Sequence, residues 1–210
     1  MFKFKKSKIF LSSLAIGITV FASSAYAQSV VYTVKPGDSM WKIASKYQVG
    51  VSELIAANPS IKNPNVIYPN QKITIPTIDD VKAFEKEVVR LTNVERAKYG
   101  LKPLTENWEL SRVAWFKSQD MIDKKYFDHT SPTYGSPFTM MKNFGIKYTA
   151  AGENIAYGQK TPQEVVNAWM NSPGHRANIL NTNYTQIGVG FAKNSSGTPY
   201  WTQMFINPGK

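Results

Sequence analysis

Thr161-Pro-Gln-Glu-Val-Val-Asn-Ala-Trp-Met-Asn-Ser-Pro-Gly-His-Arg-Ala-Asn-Ile-Leu180 is the stretch on which the reading of the C-terminal half turns. Threonine, then proline, then Glu164 three residues on, is a helix start: Thr161 caps, proline fills the first turn where no amide donor is needed, and the glutamate completes a capping box. A long helix is predicted from there. Pro173-Gly174 then breaks the periodic pattern and sets His175 in a loop rather than on an apolar stripe. The chain has two histidines. The other, His129, follows Phe127-Asp128 and reads as a loop residue for the same reason.

Upstream, apolar residues at Val81, Phe84, Val88 and Leu91 share one face of a predicted helix over 81–99, with Gly100 as its stop and Asp79 or Asp80 as its cap. A second helix is predicted over about 106–121, with Leu110, Val113, Ala114, Lys117 and Met121 near one stripe. Strand patterns come late, at 155–157, 187–192 and 200–206, the last two joined by Asn194-Ser-Ser-Gly-Thr. Helices first and antiparallel strands afterwards give an α+β domain. Its start is placed after Ile75-Pro76, with 77–80 as linker and 81–210 as the domain.

The piece before the linker is about fifty residues, near the lower limit for an unaided core. Val30 to Val34 reads as a strand, Lys35-Pro36-Gly37-Asp38 as a turn, and Met40, Ile43, Ala44 and Tyr47 fall at helical spacing behind Ser39. A second helix over 52–58 stops at Pro59, and Gln71 to Ile75 closes the unit as a strand, in the order β-α-α-β. Trp41, Ile43 and Leu54 are assigned to its core. The two parts share no sequence pattern and are expected to unfold as separate units.

The first eight residues are basic, 9–21 are apolar with only Ser, Gly and Thr interrupting, and Ala25-Tyr26-Ala27 offers small residues at −3 and −1. This predicts a signal peptide over 1–27, cleaved before Gln28. The leader's four lysines lower the formal charge from +11 to +7. No later segment suits a bilayer, and no hydrophobic sorting tail closes the chain, so retention at a surface is expected to be non-covalent. Cysteine is absent, so an exported chain must rely on its apolar core. Its basic residues are spread among acids without a Lys/Arg block, which argues against nucleic acid and suits an acidic wall polymer.

Three blocks, Tyr32-Thr-Val-Lys-Pro-Gly-Asp-Ser-Met-Trp-Lys-Ile-Ala44, Leu54-Ile-Ala-Ala-Asn-Pro59 and Ile67-Tyr-Pro-Asn-Gln-Lys-Ile-Thr-Ile-Pro76, resemble a LysM domain over 28–76. The resemblance implies binding of N-acetylglucosamine glycan, peptidoglycan or a chitin-like polymer, in a shallow groove. Its sides would be Gly37, Asp38, Ser39 and Met40 on one loop and Asn58, Pro59, Ile61, Ile67 and Tyr68 on the other. Gly37 serves the turn and Asp38 or Ser39 the helix cap equally well.

The second part is similar to the bacterial CAP domains of the cysteine-rich secretory and pathogenesis-related-1 superfamily. The blocks that carry this are Leu91-Thr-Asn-Val-Glu-Arg-Ala-Lys-Tyr-Gly-Leu-Lys-Pro-Leu104, Tyr126-Phe-Asp-His-Thr-Ser-Pro132, Gly152-Glu-Asn-Ile-Ala156, Ala168 to Leu180 and Ile187-Gly-Val-Gly190. The resemblance implies an α-β-α sandwich with a cavity in which His129, Glu153 and His175 match three of four family positions. Ser172 stands where the fourth, a glutamate, is expected. Two imidazoles and one carboxylate suit a weak divalent-cation site, zinc for example, or an acid and a base. Neither a cysteine nucleophile nor a Gly-x-Ser-x-Gly elbow is present, so no catalytic residue is assigned.

Asn154, Arg176 and Asn178 are read as structural, and Trp115, Trp169 and Trp201 as core. The reading that follows is a secreted protein bound non-covalently to cell wall or spore envelope, LysM supplying the address and the CAP cavity a ligand or metal site. The alternative is a metal-dependent wall hydrolase or protease. The link to sporulation comes from resemblance to LysM–CAP pairings in endospore formers.

Overall fold

The computed structural model describes residues 30–76 and 79–209. The leader 1–27 and its cleavage site lie outside the described residues, as do Thr77 and Ile78 of the linker.

The N-terminal unit opens with β1, Val30–Thr33, followed by α1, Met40–Tyr47, α2, Val51–Ala56, and β2, Lys72–Ile75. The end strands pair antiparallel, Val30 opposite Ile75 and Thr33 opposite Lys72. Ser39 accepts a hydrogen bond from the Lys42 amide and so caps α1. Glu53 reaches back to the Gly50 amide at 2.5 Å, closing the first turn of α2. Val34, Met40, Ile43, Leu54 and Ile73 form the core. Trp41 departs from its assignment to that core: it is 62% exposed, because Met40, Ile43 and Ala44 fill the inward face of α1 and position 41 falls on the other.

The C-terminal unit runs α3, Asp79–Lys98; β3, Thr105–Glu106; α4, Trp108–Asp123; α5, Pro137–Asn143; β4, Ala150–Tyr157; α6, Pro162–Met170; α7, Pro173–Ile179; β5, Gln186–Lys193; and β6, Pro199–Asn207. Among the described residues the strands form one sheet in the order β3-β5-β6-β4. Both long pairs are antiparallel, and only the short β3 runs parallel to its neighbour β5.

Strand alternation divides the core into two layers. Ile187, Val189, Phe191, Trp201 and Phe205 point to the side covered by Val88 of α3, Val165 and Trp169 of α6, and Ile179. Met204 and Ile206 point to the other, where Leu110, Val113, Met140 and Met141 of α4 and α5 cover them. The result is an α-β-α sandwich. The Ile187-Gly-Val-Gly block owes its glycines to the closeness of α4: a Cβ at Gly188 would fall 2.4 Å from the Leu110 carbonyl carbon, and one at Gly190 2.0 Å from the Trp115 amide nitrogen.

α6 is capped by Thr161 as expected but ends at Met170, shorter than predicted. Pro173 then starts α7, so His175 sits in the first turn of a helix instead of a loop. Proline at the first helical position is a start signal as well as a break, and here it acts as the start.

Candidate functional site: a histidine–glutamate cluster over a buried lysine

Glu153 lies in the middle of β4, 6% exposed. Its Oε1 meets Nδ1 of His129 at 2.7 Å, while Oε2 is buried and has no hydrogen-bond partner among the described residues. The His129 side chain is 52% exposed, so the pair has one dry end and one wet end. Burial pushes the Glu153 carboxyl up, against the opposing hydrogen bond from His129. The hydrogen bond to Glu153 raises His129. Both shifts have the same sense: the pair holds its protons more tightly than either group would in water. His175 moves the other way, lowered by burial and then by the charge of His129.

The loop that presents His129 is fixed from beneath by Lys117 of α4, which is fully buried. Its ammonium donates to the Tyr126 hydroxyl at 3.0 Å and to the carbonyls of Asp128 and His129 at 2.7 and 2.8 Å. Asp120, one turn further along α4, accepts from the hydroxyls of Tyr126 (2.7 Å), Ser131 (2.6 Å) and Thr133 (2.6 Å). Burial alone would raise this carboxyl, and these hydrogen bonds carry it below its ordinary value. Lys117 is legible in the sequence as a charged residue on an apolar stripe; its use as the anchor of the histidine loop is not.

On the far side, Asn154 Nδ2 donates to the His175 carbonyl at 3.2 Å and to Gln203 at 2.9 Å. Asn178 donates to the Glu153 carbonyl and to Asn154. Arg176 donates outward to the Tyr99 hydroxyl at 2.6 Å. All three therefore hold backbone and neighbours in place. Ser172 occupies the N-cap position of α7 without a side-chain capping bond. Trp169 and Trp201 are buried, whereas Trp115 is only partly so. Among the described residues, no three His, Cys, Asp or Glu side chains gather closely enough to enclose a metal.

In the N-terminal unit, a recess of about 680 Å³ is lined by Ile61, Asn63, Val66, Tyr68, Asn70 and Gln71, with other residues of the 60–71 loop. Ile61 and Tyr68 are thus brought together. Met40 is buried in the core. Asn58 is buried too, and its amide pins Leu54 and Thr74 through three hydrogen bonds. Asp38 accepts from the Tyr32 hydroxyl and the Lys35 amide, both of which lower its carboxyl. Gly37 adopts φ +84°, as its turn requires. Pro59 is exposed and Ile67 packs partly against the core.

The model of the cysteine-rich secretory protein family matches residues 89–205, and that of the LysM domain matches 32–76. YkwD of Bacillus subtilis (strain 168) is 67% identical over 126 residues, which cover 60% of this chain and 48% of that protein. A crystal structure of an extracellular protein containing a SCP domain from Bacillus anthracis str. Ames superposes with a TM-score of 0.57 at 32% identity, covering 66% of this chain and 47% of that one. The chain spans about half the length of each. A shorter segment of 47 residues, 22% of this chain and 7% of the other, is 40% identical to the spore coat assembly protein ExsA of Bacillus cereus.

Proposed function

Since the chain belongs to the cysteine-rich secretory protein (CAP) family and carries a LysM domain ahead of that module, we propose that it is exported and held non-covalently at the cell wall or spore envelope. The LysM unit binds the N-acetylglucosamine glycan of peptidoglycan, and the CAP unit offers the cluster of His129, Glu153 and His175 to a ligand. The observation that carries this is the recess of the 60–71 loop, in which the exposed ring of Tyr68 and the side chain of Ile61 stand among the amides of Asn63, Asn70 and Gln71. Acetamido groups call for amide hydrogen bonds and sugar faces for flat apolar contacts. Protein beginning at Gln28 should co-sediment with insoluble peptidoglycan, and Ile61→Ala with Tyr68→Ala should release it; pull-down unaltered by the double variant would overturn the assignment.

A hydrolytic reading of the CAP cluster has one observation in its favour, the buried and unpartnered Oε2 of Glu153 beside an accessible imidazole. Two imidazoles and a carboxylate are donors that zinc takes, and it would supply Lewis acidity when bound, but His129, Glu153 and His175 as placed do not enclose an ion, so a metal-dependent hydrolase requires them to draw together. For their part the protein groups keep a proton between Nδ1 of His129 and Oε1 of Glu153 and leave the wet edge of the ring open to a substrate. Wall zymography with and without chelator separates the two readings: a clearing band lost in chelator and in His129→Ala establishes the hydrolase, and no band leaves the binding role.

A further inference from the structure

On the CAP unit, away from the histidine cluster, α4 ends in a feature that its own stability does not call for. Lys125 follows the helix at φ +56°, the left-handed position that glycine fills at lower energy. Beyond it the Phe127 ring meets Tyr157 at the end of β4, while the Tyr126 hydroxyl turns back to Lys117 and Asp120. Phe127 and Tyr157 are exposed, 45% and 53%, yet their rings meet edge to face at 4.7 Å, and Tyr157 stacks on Tyr200 at 5.8 Å. These rings form part of the wall of a groove of about 710 Å³ whose remaining lining includes Gln119, Asp123, Lys125, Lys193, Asn194 and Ser195. Gln119 is shared with two further recesses. One contains Trp115, Phe84 and Lys193; the other contains Trp115 and Tyr134 and borders Glu53 and Ala56 of the LysM unit.

We propose that this groove is a second saccharide site, taking an N-acetylated, carboxylate-bearing glycan strand along α4 from the LysM side. Aromatic faces alternate here with amide, hydroxyl and charged groups, the mixture that a sugar polymer satisfies with its C–H faces and its hydroxyl and acetamido edges. An acyl chain would strand Gln119, Asp123, Asn194 and both lysines against hydrocarbon. The two lysines outnumber Asp123, which favours a polymer carrying carboxylates. The choice of ligand rests on the glycan-directed reading above; the groove itself does not.

The test uses the full chain from Gln28, isotope-labelled, titrated with soluble disaccharide-peptide fragments of peptidoglycan and, separately, with chitotetraose, which has no carboxylate. The expected result is perturbation of the amides of Tyr157, Ser195 and Tyr200 by both probes. Tyr157→Ala should weaken that set of shifts at least about tenfold, equivalent to about 1.4 kcal/mol. Lys125→Gly should raise thermal stability, by relieving the left-handed backbone, and weaken only the carboxylate-bearing probe. Shifts confined to the 60–71 loop overturn this proposal and leave the LysM assignment standing. Shifts at the groove without shifts at Ile61 and Tyr68 do the reverse. Groove resonances that move with anionic lipid micelles and not with either sugar also overturn it.

Discussion

Arg112 of α4 is 59 residues from Glu53 of α2 in the chain, yet its Nη1 donates to Glu53 Oε1 at 3.3 Å across the boundary between the two units. Its Nη2 donates to Glu85 of α3 at 2.5 Å, and none of the three side chains is more than 11% exposed. A second bond crosses the boundary nearby, from Lys82 Nζ to the Tyr47 carbonyl at 2.9 Å. These contacts predict that the two units unfold together, coupled through buried charge, in place of the separate unfolding expected from their unlike sequence patterns.

Removing the arginine leaves two buried carboxylates without their shared cation. Arg112→Ala is expected to cost about 3–5 kcal/mol in urea unfolding at mildly alkaline pH, the range for breaking one side of a buried ion pair. It should also split one transition into two, as the LysM and CAP units part. A variant that unfolds in one step at the wild-type midpoint would show that the link contributes nothing.

Two carboxylates around one guanidinium also set a pH dependence. Burial pushes Glu85 up to about 7, with Arg112 and the Phe191 amide opposing and Glu53 adding to the rise. A folded-state value above the unfolded one means that the native protein binds more protons between them, so stability falls as pH rises from about 4.5 through 7. At about 1.4 kcal/mol per unit the loss is on the order of 3 kcal/mol. Glu85→Gln should flatten this slope relative to wild type; an unchanged slope in the pH series of unfolding midpoints would place Glu85 out of the coupling.

The histidines give the next prediction. Proton NMR of the two rings should find His129 titrating above 6.5 and His175 below it, in line with their opposite shifts. Glu153→Gln removes the partner that raises His129 and should bring it down. Because its folded value is the higher, the stability His129 contributes is complete below 6.5 and is lost as pH rises through the folded pKa. Identical titration of the two rings in wild type would dissolve the pair.

Lys117 works on the same cluster from below, as a positioning residue. Lys117→Met keeps the unbranched apolar stem, one atom shorter, but leaves the carbonyls of Asp128 and His129 without their donor, costing about 1–3 kcal/mol for each one left unsatisfied. It also removes a positive charge that lowers His129, so the His129 pKa should rise further in this variant. Lost stability with an unmoved His129 titration would reduce the lysine to a loop anchor alone.

What was legible in the sequence is what neighbours along the chain decide. The LysM elements and the cap of α6 follow from periodicity and from Ser39, Thr161 and Pro162, whose hydrogen bonds are local. His129 and Glu153 were visible as members of a resemblance, but their direct bond joins β4 to a loop 24 residues away and depends on the sheet register. α5 was missed because seven residues with two methionines carry little periodic signal. Trp41 was misplaced because a large apolar residue is only on average a buried one. The Glu53–Arg112 contact has no local signature, since a glutamate already used in a capping box gives no reason to seek a second partner.

The last prediction tests the sandwich where its layers touch. β5 presents Gly188 and Gly190 to α4, whose backbone lies so close that a methyl group at position 190 would overlap the Trp115 amide and the Ala114 carbonyl, at 2.0 and 2.1 Å. The obstruction is backbone on both sides, so no rotamer change can relieve it and α4 must lift from the sheet. α4 carries Lys117, Asp120 and Arg112, which means that a lift would loosen the histidine loop and the interdomain link together. Gly190→Ala is expected to destabilise by more than the usual overpacking range of about 1–3 kcal/mol, and to lower the His129 pKa toward that of a free imidazole. Gly174→Ala, at a position with open space around the Cβ, serves as the control and should leave the urea midpoint nearly unchanged. Wild-type stability in Gly190→Ala would mean that α4 does not ride on β5 at this distance.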